Sequence, residues 1–270
     1  MEAIRLKTSL VSADPTFIGP PNFHERCGLE LPASTSILQH KLSDIHEYTM
    51  QNLMMVNRKK TVIMPFNFTK KYDFIPKLMF PGDQVPLEVI YETKLLGVTI
   101  SSDLNFAKHV TNISVAATKT LWLLIRFRDM GASTSQLLQL WQQKGRSILE
   151  FASPVFFSKL TQLQSKQIED CQRKAFAIIL QSHYRSYEHS LKVLGQEKLS
   201  ERRIKAAIKF GEKCVSNPRH SDMFPRNLPV KDKRTLQKPF KEYFCRTDRL
   251  YFSSLPTIAR LMNKKHLSEK

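Results

Sequence analysis

The stretch Asp103 to Ile125, DLNFAKHVTNISVAATKTLWLLI, decides how the chain is organised. Phe106, Val110, Ile113, Ala117, Leu121 and Leu124 recur in it at intervals of three and four, which a helix gathers onto one apolar face. The helical period persists from Asp103 onward, whereas the pattern before it is mixed. The block Leu121 to Ile125 is apolar almost all round and predicts deep burial.

Forward of this stretch, Ser133 and Gln136 have capping-box spacing and start a second helix carrying Leu137, Leu138 and Trp141. Gly145 interrupts it before Ile148 to Phe157, and Pro154 bends or ends that segment. A third helix opens at Thr161 and Gln164, placing Ile168, Cys171, Ala175 and Ile178 on one face with Lys166, Asp170, Arg173 and Lys174 elsewhere. A fourth, about 197–215, is expected to bury Ile204, Ile208 and Val215. Beyond Asn217, five prolines (Pro218, Pro225, Pro229, Pro239, Pro256) among many cations predict a loosely structured basic tail with short helical pieces.

Backward of it, Ser36 and Gln39 suggest another capping box, and Leu38, Leu42, Ile45, Thr49 and Leu53 continue a helix over 36–54. Thr61 to Phe66, Leu87 to Tyr91 and Leu95 to Ile100 read as three strands of a small antiparallel sheet. Residues 1–34, with Pro15, Pro20, Pro21 and Pro32, read as an irregular leader. The expected class is α+β, predominantly α: a leader at 1–34, a helix with strands at 35–102, a helical bundle at 103–216 and the tail at 217–270.

A chain of 270 residues that is 41% hydrophobic can bury a core. No apolar run approaches the roughly 18 residues of a membrane span, and the amino terminus shows no signal-like block, so an intracellular location, nuclear or cytoplasmic and not secreted, is expected. Cys27, Cys171, Cys214 and Cys245 form no CxxC pair and read as free thiols.

The net charge of +18 is unevenly spread. Residues 1–110 hold 12 basic and 11 acidic side chains, and residues 111–270 hold 30 and 13, so nearly the whole excess lies in the later part. Such asymmetry points to a polyanion, since neutralising phosphates releases counterions; the alternative is a merely solubilising surface. Arg202, Lys205, Lys209 and Lys213, with Arg203 beside them, are expected as a cationic ridge on the fourth helix. Arg126, Arg128, Lys144, Arg146, Arg173 and Lys174 lie on other helices and are candidates to enlarge that surface.

Catalytic signatures are missing: no P-loop, GxSxG, HExxH or GxGxxG occurs, and the eight histidines have no metal-ligand spacing. No catalytic residue, metal site or cofactor is therefore assigned. Glu169 and Asp170 read as a solvated ion-pair face with Arg173 and Lys174. His46 reads as a partly buried structural histidine, and Trp122 and Trp141 as core residues in preference to base-stacking ones.

In order, these segments resemble the carboxy-terminal half of reverse transcriptases of LINE-type, non-LTR retrotransposons, over roughly residues 36–215. Leu38 to Phe66 is similar to the helix, turn and strand of the palm's fourth motif, matching at Asn57, Lys60 and Thr61. Lys94 to Val110, KLLGVTISSDLNFAKHV, is similar to the primer-grip hairpin, matching at Leu96, Gly97, Val98, Asp103, Leu104 and His109. The helices after it look like the thumb and connector, and Leu199 to Phe210 is similar to a leucine followed by paired arginines there.

The resemblance implies a palm-derived remnant joined to a thumb-like bundle that grips nucleic acid through its backbone. In that family a motif-four lysine, here Lys60, is thought to protonate the leaving pyrophosphate. The two aspartate motifs that bind the catalytic metal ions precede the matched region in the family, and neither is found here. The expectation is a truncated reverse-transcriptase-like protein, without RNA-directed DNA polymerase activity alone. It would keep nonspecific binding of RNA or an RNA–DNA duplex, with Lys60 and the later cations as contacts. The alternatives are a protein-interaction or oligomerisation module, part of a polymerase completed by a missing segment, and an element without selected activity. The oligomeric state is open.

Overall fold

The computed structural model describes residues 31–66, 77–227 and 238–268, so most of the leader, residues 1–30, lies outside it. The chain divides into two compact units between Asn105 and Phe106.

The first unit begins with helix α1, Leu31–Gln51, five residues earlier than the capping-box spacing predicts. Pro32 falls in its first turn, where a missing N–H costs nothing. Gln39 is not part of a cap: its amide donates to the Met79 carbonyl at 2.6 Å and accepts from the Met79 N–H at 3.0 Å, as a neighbouring strand would. Leu53 lies beyond the helix end in a left-handed conformation (φ 54°) and is exposed, because the chain turns out of the helix there. Leu42, Leu78 and Phe80 form the local core, covered by Leu38, Val56, Ile63 and Leu87. His46 is half-buried edge-on to Phe80, as a structural histidine.

The expected three-stranded antiparallel sheet is instead two separate pairs. Strands β1, Val62–Ile63, and β2, Glu88–Val89, run parallel, while β3, Glu92–Leu95, and β4, Val98–Ser101, form an antiparallel hairpin. The predicted strand 95–100 is thus broken at Leu96 and Gly97, whose φ values of 46° and 91° fit the two-residue turn that matches strand twist. Gly97 serves a turn, not a close approach along a strand, and Leu96 is exposed at its tip.

The second unit is helical. Helix α2, Ala107–Asp129, buries Val110, Ile113, Ala117, Leu121 and Leu124, with Phe106 just before it, so the six-residue face read from the sequence is the buried one. Helix α3, Thr134–Leu140, has the complete Ser133/Gln136 capping box. It continues into a π-helical turn, Trp141–Arg146, then α4, Ser147–Glu150. Gly145 does not end the helix. It lets the buried Trp141 ring lie across the widened turn, where an added Cβ would overlap the ring. The break comes at Ala152 (φ 53°), two residues before Pro154, which sits in the first turn of α5, Ser153–Phe156.

Helix α6, Gln162–Leu180, also opens on its expected capping box, packs along α2 and buries Ile168, Cys171, Ala175, Phe176 and Ile179; Ile178, expected on this face, is half-buried. Helix α7 is Tyr187–Val193 and α8 is Leu199–Ser216. In α8 the interior face is Leu199, Arg203, Ala207, Gly211 and Cys214; Ile204, expected inside, is 41% exposed, while Ile208 and Val215 are half-buried at the flank. The stripe of small residues admits α10, Ser254–Ser268, whose Ile258, Ala259 and Met262 share a core with Ala207, Cys214 and Phe224.

Residues 238–268 of the tail are therefore more ordered than its proline and charge content suggests. The buried Asn263 amide donates to the Phe240 carbonyl and accepts from its N–H, both at 3.0 Å. A short helix α9, Asp248–Tyr251, precedes α10, and Pro256 occupies the first turn of α10. Cys171, Cys214 and Cys245 are free thiols, and burial pushes the first two up from the ordinary thiol range.

Candidate nucleic-acid interface

The cations singled out in the sequence separate into those held by carboxylates and those left to solvent. On α8 the ridge Arg202, Lys205, Lys209, Lys213 points away from the buried stripe, as its spacing requires. Its first half is occupied. Arg202 forks onto Glu150, one bond measuring 3.0 Å, and this bond holds its guanidinium above the usual arginine range. Lys205 donates to Glu197 and draws that carboxyl below its usual range. Lys209 and Lys213 are exposed and pair with no carboxylate among the described residues.

Arg203 is not on the ridge. It is 3% exposed and donates to Ser165 Oγ at 2.9 Å, so it cannot meet a phosphate in the folded chain. Burial pushes its guanidinium down, while Glu169 and Glu150 hold it up. Its five-residue stripe with Leu199, Ala207, Gly211 and Cys214 was present in the sequence at intervals of four, four, four and three. The smallness of Ala207 and Gly211 concealed it.

Glu169 likewise departs from the expected solvated face. It accepts from the N–H groups of Leu199 at 3.0 Å and Ser200 at 3.3 Å, capping α8 from a different helix, and it accepts from the Tyr187 hydroxyl. Burial first, then that bond to Glu169, pushes the Tyr187 phenol up beyond its ordinary range. Gln172 ties the group together by donating to Tyr187 at 2.9 Å and to the Glu197 carbonyl at 3.0 Å. Asp170, its neighbour in sequence, does form the expected surface pair with Arg173 at 2.5 Å.

Arg146 converges on the same carboxylate as Arg202, lying 3.8 Å from Glu150, and donates to Gln196 at 2.8 Å. Burial, and then Arg202, pull its guanidinium down. Arg128 pairs with Asp129 at 2.8 Å. Arg173 also lies over the Tyr187 ring, 5.4 Å from its centroid. Lys144 and Lys174 are exposed and make no ion pair among the described residues. In the first unit, Lys60 is exposed at the end of a 3₁₀ turn, Arg58–Lys60; beside it the buried Thr61 hydroxyl donates to the Asn57 carbonyl at 3.1 Å.

Helix α2 carries the feature that sequence reading placed wrongly. Trp122 is 57% exposed, not core, with the Arg126 guanidinium over its ring at 4.9 Å. Leu123 beside it is also exposed, so Leu121 and Leu124 are the inward part of that apolar block. Trp141 is the one that is fully buried. At the end of α2 a shallow cleft of about 500 Å³ is lined by Phe127, Met130, Gln136, Leu137 and Leu140. His109, in the first turn of α2, is buried between Phe106 and Phe156, with ring centroids 6.5 and 4.8 Å away.

Among the described residues no three histidine, cysteine or acidic side chains gather as a metal site, and no helix is long and apolar enough to cross a membrane. No protein-family model matches the chain, and no match is found among curated proteins or among solved structures.

Proposed function

We propose that this chain is a reverse-transcriptase-like protein of the LINE class that holds RNA, or an RNA–DNA duplex, by nonspecific phosphate contacts and does not polymerise on its own. The observation that carries the reading is the charge of the later part: 30 basic against 13 acidic side chains after residue 110. Ion pairs such as those of Arg202 and Arg146 with Glu150 do not alter the net charge and leave that excess intact. Counterion release makes an excess of this size an attraction for any polyphosphate. The contacts narrow, however, to Arg126, Lys144, Lys174, Lys209 and Lys213 in the second unit and, separately, Lys60 in the first, the candidates that remain exposed without a carboxylate partner among the described residues. Arg202 and Lys205 contribute at a discount, since each already holds an acid.

The test compares two variants by fluorescence anisotropy with a labelled RNA duplex. Combined replacement of Lys144, Lys174, Lys209 and Lys213 by glutamine should weaken binding about tenfold or more at 0.1 M salt. It should flatten the salt slope by roughly one for each lysine that meets a phosphate. Arg203→Gln should leave the slope of the folded protein unchanged, because that side chain is buried. Unchanged affinity in the quadruple variant, or a flattened slope in Arg203→Gln, would contradict the assignment.

A further inference from the structure

The solvent face of α2 is a single stripe. Val115, Lys119, Trp122, Arg126 and Met130 follow one another by four, three, four and four, which keeps them within about 80° of the helix circumference. All five are exposed, and Leu123 and Phe127 widen the stripe on one side. Between Asp103 and Asp129 the sequence holds no carboxylate, and Asp129 is taken by Arg128. The face is therefore apolar and, apart from Asp129 at its far end, which Arg128 holds, cationic, with an indole at its middle flanked one turn away by Lys119 and Arg126.

We infer that this stripe binds the unpaired bases of a single nucleic-acid strand, with Trp122 as the stacking platform and Lys119 and Arg126 as phosphate contacts. The inference rests on the nucleic-acid reading above and names the form of nucleic acid that this face takes. An indole presents a flat π surface that any base can cover, and the preference does not depend on sequence. Arg126 already lies over the ring, so the platform is a cation–π pair held in place before a ligand arrives. Lys119 and Arg126 leave the helix about 10 Å apart along its axis, on either side of Trp122; with Arg126 over one face of the ring, the base takes the other face of the exposed indole.

A duplex suits the face poorly, because its bases are stacked on one another and offer the indole no free face. A second copy of the chain suits it poorly too: a twofold contact would bring the Lys119 and Arg126 cations of the two copies together, and the nearest acid, Asp129, is already held by Arg128. A single strand meets both properties, supplying flat apolar surface and negative charge at once.

The full chain provides its own reporter. It has two tryptophans, and since Trp141 is buried, quenching by an added strand reports on Trp122. The probes are a 12-nucleotide oligouridylate and an RNA duplex of equal length, followed by fluorescence and anisotropy with wild type, Trp122→Ala and Trp122→Phe. Oligouridylate should quench the wild type. Trp122→Ala should lose about tenfold or more in affinity for the single strand, Trp122→Phe should keep most of it, and duplex affinity should change less than twofold. Trp122 is exposed, so both variants should keep the wild-type melting temperature. Equal losses on strand and duplex, or no loss on either, overturn the inference while leaving the phosphate-contact reading standing. Absence of binding to both probes by the wild type sinks that reading as well. Loss of light-scattering mass in Trp122→Ala with oligouridylate affinity unchanged overturns the inference by giving the stripe to a second copy.

Discussion

Glu169→Ala is expected to destabilise the helical unit by about 3 kcal/mol, whereas Asp170→Ala, one residue on, is expected to cost under about 0.5 kcal/mol. Asp170 loses a surface pair with Arg173 that water replaces. Glu169 loses four things together: two N–H groups at the start of α8, the Tyr187 hydroxyl, and the nearby charge that compensates buried Arg203. An orphaned helix start costs about 1 kcal/mol, and a buried guanidinium that loses the first of its two nearby counter-charges, keeping only Glu150, costs more. Urea melts of the two variants decide it by their midpoints. Comparable losses would mean that Glu169 is as solvated as its neighbour.

Gly145→Ala should lower stability by about 2–3 kcal/mol, for a fall of roughly 5–10 °C in Tm by calorimetry. The sign is the informative part. Helix propensity alone favours alanine at an internal helical position by about 1 kcal/mol. Against this, the new Cβ would overlap the Trp141 ring, which is buried and has no room to swing aside. A variant as stable as wild type, or more so, would show that the π-helical turn relaxes to an ordinary helix at no cost.

These two residues show where sequence reading reaches and where it stops. The α2 face, the capping boxes at Ser133 and Thr161, and three of the four residues of the α6 stripe, Ile168, Cys171 and Ala175 but not the half-buried Ile178, were legible because each is a local pattern whose members lie within one helix. The cap of α8 was not, since Lys198 stands where a capping residue belongs and the acceptor comes from Glu169, 30 residues earlier. The order of the tail was hidden for a related reason. Ile258 and Met262 find their cover on α8, and composition alone cannot register a distant partner.

The candidate interface was half legible by the same measure. Charge and spacing located the ridge, but spacing does not reveal that Glu150 and Glu197 already hold Arg202 and Lys205, nor that Arg203 turns inward. Trp122 was misplaced because an apolar run five residues long must emerge on the far side of its helix. The periodicity that buries Leu121 and Leu124 requires residue 122 to face outward.

The measurement that bears most directly on the whole account is the salt dependence of RNA binding by the unmodified chain. Between 50 and 200 mM salt, affinity for a 12-base-pair RNA–DNA duplex should fall by a factor on the order of a thousand if all six exposed cations displace a counterion, and on the order of a hundred if only the four lysines of the second unit do. No binding at 50 mM, or an affinity indifferent to salt over that range, would contradict a protein built to hold a phosphate backbone.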